Sequence, residues 1–152
     1  LQSSITILIA LGEFFAILIA GIDLSVGSVL GLTGMVTAYL LSNGVNMVVA
    51  ILLGGILLGA VLGAINGSLV VFTGLHPFIV TLGGLTIYRG LTLTISDARP
   101  IYNIPRVFGD TISGSFYGIP TPVIIAGIAA IILAFVTKKT KLTLSFIIKS
   151  HV

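Results

Sequence analysis

Three ionisable side chains stand inside apolar sequence: Glu13, Asp23 and Arg89. Glu13 interrupts the run from Ser4 to Ala20 and has no basic neighbour in sequence. A charge at the centre of a membrane helix costs about 2.5–3.5 kcal/mol on insertion scales. Glu13 is therefore expected to be protonated, paired with another helix or turned to a polar cavity. It reads either as a pathway-lining carboxyl or as a buried, hydrogen-bonded one between helices. Asp23 stands in GIDLSVGS, residues 21–28. An Asp-Leu-Ser before an apolar run is a helix start, because the carboxylate accepts hydrogen bonds from the free amides of the first turn and favours the positive end of the helix. The same stretch, with Ser25 between Gly21 and Gly27, also reads as a break inside a membrane helix, the device many transporters place at their pathway. Arg89 lies six residues before the end of the apolar segment that holds it. It either snorkels to an interface or pairs with Glu13 or Asp23. His76 precedes Pro77 at a turn and reads as a loop residue rather than a ligand.

None of these residues belongs to a catalytic pattern. The chain contains no G-x-x-x-x-G-K-[ST], no H-E-x-x-H and no G-x-S-x-G, so it carries no motif for binding ATP or for hydrolysis. It is expected not to be an enzyme, and its energy source must be another subunit or an ion gradient. Cysteine is absent, which excludes disulfides and thiolate metal sites. No cofactor and no metal is expected. The net charge of +3 comes from seven Lys and Arg, four of them in the last fifteen residues. That asymmetry fits membrane orientation and not nucleic-acid binding.

The elements that must carry these residues are hydrophobic helices. Of 152 residues 57% are hydrophobic and 7% charged, against about 25% charged in a soluble domain. The mean hydropathy is +1.26. Lipid must therefore be the solvent for most of the surface. Five apolar segments follow: residues 4–20, 25–41, 47–72, 78–95 and 123–136. A spanning helix takes about 20 residues, and the fifth segment reaches that length only from the Pro120–Pro122 bend. The fold class is all-α, a polytopic transmembrane helix bundle of about five segments. SNG at 42–44 and TGLHP at 73–77 are turns, the second combining a Gly stop with a Pro start. Residues 97–122 form the one long polar stretch and are expected outside the hydrocarbon. Lys138, Lys139 and Lys141 put the end of the fifth segment in the cytoplasm. By alternation, TGLHP and GIDLSVG then fall on or near the inner side. The third segment repeats Gly55, Gly59, Gly63 and Gly67 every four residues, the small-residue stripe that lets helices approach closely. Asn66 beside it can hydrogen-bond across helices.

GIDLSVGSVLGLTGMV resembles the membrane permeases of bacterial monosaccharide ABC importers, the ribose and D-allose type. Residues 63–98, reading G-x-x-N-G, then P-F-I-x-T-L-G, then R-G, match a second block of that family, and GIPTPV at 118–123 a third. GEFFAILIAGIDLSVG and TGLHPFIVTLG are nearest to the D-allose branch, and Glu13, where family members more often carry Met, supports it. The resemblance covers about residues 1–142. It implies a monosaccharide permease in the bacterial inner membrane, multi-pass, working by alternating access. Its partners would be a cytoplasmic ATPase subunit, a periplasmic sugar-binding protein, a second permease copy, the lipid membrane and the sugar itself, with no nucleic acid. Carried over by motif, Asp23, Ser25 and Gly27 belong to the break, and Asn66, Gly67, Pro77, Phe78, Thr81 and Arg89 to the second block, as structural or pathway candidates. The family fold has about ten helices, so this chain is expected to be an incomplete, N-terminal-half piece. Its tail, residues 143–152, does not continue the family pattern. Two other readings stand beside the first: a truncated chain that does not transport, and an ion-coupled carrier using Glu13 and Asp23.

Overall fold

The computed structural model describes residues 2–18, 21–116 and 119–139; the tail at 143–152 lies outside them. Six helices follow in order: α1 Gln2–Leu18, α2 Val26–Ser42, α3 Met47–Thr73, α4 Pro77–Ser96, α5 Arg106–Ser113 and α6 Thr121–Lys139. Each of the five apolar segments becomes one helix, with ends within about three residues of those expected, the uncertainty inherent in helix boundaries. α3 and α4 are long and apolar enough to cross a membrane; α2 is a shorter apolar helix. The stretch 97–122 is not a plain loop. It contains the eight-residue α5 and a two-residue antiparallel pairing of β1, Ser115–Phe116, with β2, Ile119–Pro120.

The chain divides into two compact units. One comprises the described residues of Leu1–Gly21 and Thr111–Val152. In it α1 packs against α6, where Ala126 is buried. The other is Ile22–Asp110, in which α2 packs along α4 and against the first half of α3. Its core takes one large residue from each helix: Leu32 from α2, Leu62 from α3 and Tyr88 from α4, with Val29, Val36 and Leu58 around them.

Local chemistry sets the turns of this second unit. α2 stops in a Schellman motif: Gly44 takes φ +80, Gly44 N–H donates to Leu41 O at 3.1 Å and Val45 N–H to Leu40 O at 3.1 Å. Asn46 then caps α3, its side chain accepting from Val48 N–H at 2.9 Å. α3 ends at Gly74, φ +67. His76 caps α4, accepting from Phe78 N–H at 3.3 Å, with Pro77 as the first helical residue. The TGLHP turn therefore has the stop and start chemistry its sequence announces.

One feature of α3 has no counterpart in the sequence reading. Residues Ile51–Leu57 are π-helical, with hydrogen bonds that reach five residues back instead of four. Gly54 lies at the centre of this stretch and is where α3 comes nearest to α2. A Cβ there would stand 2.6 Å from Thr37 Oγ1, 2.8 Å from Thr37 N and 2.9 Å from Thr37 Cα. Only hydrogen fits in that space. Of the expected stripe, a Cβ on Gly55 or Gly59 would make ordinary contacts, 4.0 Å to Thr37 Oγ1 and 3.7 Å to Thr33 Cγ2, while one on Gly63 or Gly67 would meet nothing within 4 Å.

Candidate functional site

The residues before α2 form a short non-helical segment held by side chains from α3 and α4. Asp23 Oδ1 accepts from the Ser25 backbone N–H at 2.8 Å and from Ser25 Oγ at 2.6 Å. Ser25 is wholly buried. Its Oγ accepts from Asn66 Nδ2 at 2.8 Å. Asn66 Oδ1 accepts from the Tyr88 hydroxyl at 2.7 Å. The carboxylate end fixes the direction of this chain. An ionised carboxylate only accepts, so Ser25 must give it its single proton. Asn66 must then donate to Ser25, which turns its carbonyl to Tyr88. The order Tyr88, Asn66, Ser25, Asp23 is the one that satisfies every member.

Thr81 secures the backbone of the break. Its Oγ1 accepts from Leu24 N–H at 3.2 Å and donates to Ile22 O at 3.2 Å. A single buried hydroxyl thus serves a donor and an acceptor that the helix cannot. Ser25 O in turn accepts from Val29 N–H and Ser28 Oγ, both at 2.8 Å, which starts α2. Among the described residues no buried side-chain nitrogen or oxygen lacks a partner. With 20 residues, α4 is about 30 Å long, the thickness of the hydrocarbon core. Thr81 and Tyr88 lie roughly 6 and 16 Å from its Pro77 end at 1.5 Å per residue. The segment before α2 is therefore held by the half of α4 nearer the TGLHP turn.

The sequence candidates fall into several places. Asp23, Ser25, Asn66 and Thr81 meet at the break. Gly27 and Arg89 face a neighbouring cleft between α2 and α4, of about 480 Å³, which Ser28 and Gly31 also line from α2 and Leu85, Thr92 and Leu93 from α4. Pro77 opens α4 and Gly21 is buried just before the break. Glu13, half-buried on α1, belongs to the other compact unit. Sequence reasoning passed over Tyr88 and Gly84. Thr81, Gly84 and Tyr88 follow the i, i+3, i+7 spacing of one helix face, and that spacing was the available signal. A Cβ on Gly84 would come within 3.2 Å of Asn66 Oδ1 and 3.1 Å of the Tyr88 ring, so the glycine makes room for the amide.

Chemically the network holds shape. Ser25 is wholly buried with its hydroxyl proton held by Asp23, and no group of three or more His, Cys, Asp or Glu that could hold a metal gathers among the described residues. What it defines is a helical protein with two helices, α3 and α4, long and apolar enough to cross a membrane among the described residues, and with the non-helical segment before α2 held by side chains of both. Comparison with known proteins gives this class its place: residues 1–147 match the family described as "Branched-chain amino acid transport system / permease component", and the chain belongs to that family. Its relatives include the D-allose transport system permease protein AlsC of Escherichia coli (strain K12), 56% identical over 141 residues, 93% of this chain and 43% of that protein. The ribose import permease protein RbsC of Bacillus subtilis (strain 168) is 45% identical over 91% of this chain and 44% of its own length. The fructose import permease protein FruF of Bifidobacterium longum (strain NCC 2705) is 36% identical over 91% of this chain and 40% of its own length. The chain thus spans less than half the length of these relatives. No solved structure matches it.

Proposed function

We propose that this chain forms part of the permease subunit of an ABC importer that carries a monosaccharide, D-allose or a ribose-like sugar, across the bacterial inner membrane. The observation that carries the reading is the 56% identity to a D-allose permease over 93% of the chain. The pinned break supports it, since a stretch of irregular backbone within a span belongs beside a cavity or pathway. A cytoplasmic ATPase supplies the energy, a periplasmic binding protein delivers the sugar and a second permease copy completes the pathway. The chain itself performs no chemistry on the sugar. The domain reading sets residues 1–142 as permease and 143–152 as a tail, although the family match runs on to residue 147. Glu13, on the α1–α6 side, is proposed as a second polar position along the pathway.

The test is uptake of labelled D-allose and ribose by cells whose only such permease is the full-length protein, with leucine run alongside because the family description names branched-chain amino acids. Sugar uptake without leucine uptake is expected; the reverse would sink the sugar reading. Asp23→Ala, compared at equal membrane level, is expected to lower uptake strongly. It strips the acceptor from Ser25 N–H and Oγ, at about 1–3 kcal/mol for a buried group left unsatisfied. Wild-type uptake by that variant would refute a role for the break.

A further inference from the structure

The cleft between α2 and α4 has a donor and acceptor pattern that neither the break nor helix packing uses. Arg89 contributes a guanidinium, which only donates. Ser28 and Thr92 contribute hydroxyls whose protons are already committed, Ser28 Oγ to Ser25 O at 2.8 Å and Thr92 Oγ1 to Tyr88 O at 2.8 Å. Toward the cleft both hydroxyls therefore offer lone pairs. Gly27 and Gly31 leave the α2 wall without side chains, and the volume of about 480 Å³ lies within the range of roughly 300–1,000 Å³ for small-molecule sites.

A ligand that satisfies this wall must accept from the guanidinium and donate to two hydroxyl oxygens. A carboxylate on a neighbouring helix or on a simple anion accepts only and leaves both hydroxyls without a donor; a zwitterionic amino acid can also donate, and the leucine arm of the labelling test separates it from a sugar. A polyhydroxylated neutral molecule does both, because each of its hydroxyls donates one proton and accepts through its lone pairs. An arginine within an apolar helix faces the bundle interior or a water-filled cavity. We propose that this cleft is a monosaccharide-binding station on the permease, with Arg89 donating to sugar oxygens and Ser28 and Thr92 accepting from sugar hydroxyls. The inference rests on the permease reading and adds a place on the chain where the sugar is held.

The experiment is cysteine protection in membranes containing the full-length permease, made cysteine-free elsewhere; the present 152 residues hold no cysteine. Leu93→Cys and Gly31→Cys report from opposite walls without touching the proposed hydrogen-bonding groups, and Val71→Cys, on the exposed face of α3, is the control. Maleimide labelling is timed with and without D-allose, ribose or leucine. Saturating sugar is expected to slow labelling several-fold at both wall positions and not at residue 71, and adding Arg89→Gln is expected to remove the protection. Unchanged labelling under saturating sugar, in membranes that still take sugar up, overturns the station and leaves the permease reading standing. Absence of sugar uptake by the full-length permease without the reporter cysteines removes the permease reading itself. Protection by leucine alone overturns the proposal in favour of a carboxylate site. Wall cysteines that label in the 152-residue chain but never in the full-length permease overturn it too, because protein then fills the cleft.

Discussion

At the scale of single residues, the donor order through Tyr88, Asn66, Ser25 and Asp23 makes the site unforgiving. Tyr88→Phe removes one hydroxyl and leaves the Asn66 carbonyl unpaired; Asn66→Leu removes the link between α3 and the break. Interhelical hydrogen bonds in membranes average about 0.6 kcal/mol and reach about 1.7. A buried pair of good geometry such as Asn66 and Tyr88, 2.7 Å apart, belongs in the upper part of that range. A double-mutant cycle on the unfolding free energy in detergent should give a coupling of about 1 kcal/mol. Strict additivity would mean that the two side chains act independently. The sequence made part of this legible. Asp23 before an apolar run announced that a helix starts but not how: the N-cap is Ser25, whose side chain makes no cap bond, and Asp23 accepts from Ser25 N–H and not from the first turn. An asparagine beside a glycine stripe announced a cross-helix bond. It could not announce that the two belong to one network, because Ser25 and Asn66 are 41 positions apart and only the packing of α2 on α3 and α4 brings them together.

At the scale of elements, spacing predicted the third helix but not its contact register. The series Gly55, Gly59, Gly63, Gly67 is the visible repeat, yet the closest approach is at Gly54. The π-helical stretch turns the chain out of regular α-helical phase there, and no pattern of period four records that. Gly54→Ala should destabilise this chain by about 1–3 kcal/mol, the cost of overpacking, since its Cβ meets backbone atoms of Thr37. Gly63→Ala should be neutral or stabilising by up to about 1 kcal/mol through helix propensity. Thermal unfolding of the two variants side by side is the measurement, and equal shifts would place the helix contact elsewhere. The turns were more readable than the packing. Gly44 and Gly74 supply positive φ where a chain reversal needs it, and Pro77 opens a helix. At the end of α4 the same backbone shape is built from Asp97 and Ala98, at φ 50 and 54, residues that do not advertise it.

At the scale of the whole molecule, apolar side chains face outward along most of the described helices, Phe72 and Val71 being 85% and 77% exposed. Water would not tolerate so much apolar surface on a chain of this size. The chain expressed alone is expected to stay with the membrane pellet after alkaline carbonate washing, and release into the supernatant would contradict the membrane reading. Composition alone carried this level, because the demand for lipid is set by how many apolar residues there are and not by how they are arranged. The short helix α5 and the β1–β2 pairing escaped for the opposite reason: in 97–122 the Gly, Pro and polar residues suppress any clear period.

The π-helical stretch also has a genetic consequence. A ring closed five residues back holds one residue more than a ring closed four back. Deleting a single codon there, for instance that of Leu53, should let Ile51–Leu57 close into ordinary α-helix while Leu62 and Asn66 keep their heading. The same deletion at Val61, in regular helix, should swing Asn66 by about 100° away from Ser25 and Tyr88. Paired single-codon deletions scored by membrane level and uptake in the full-length permease should therefore differ, with the loss at residue 61 the more severe. Equal tolerance at the two places would mean that the heading of Asn66 is not what the membrane segment preserves.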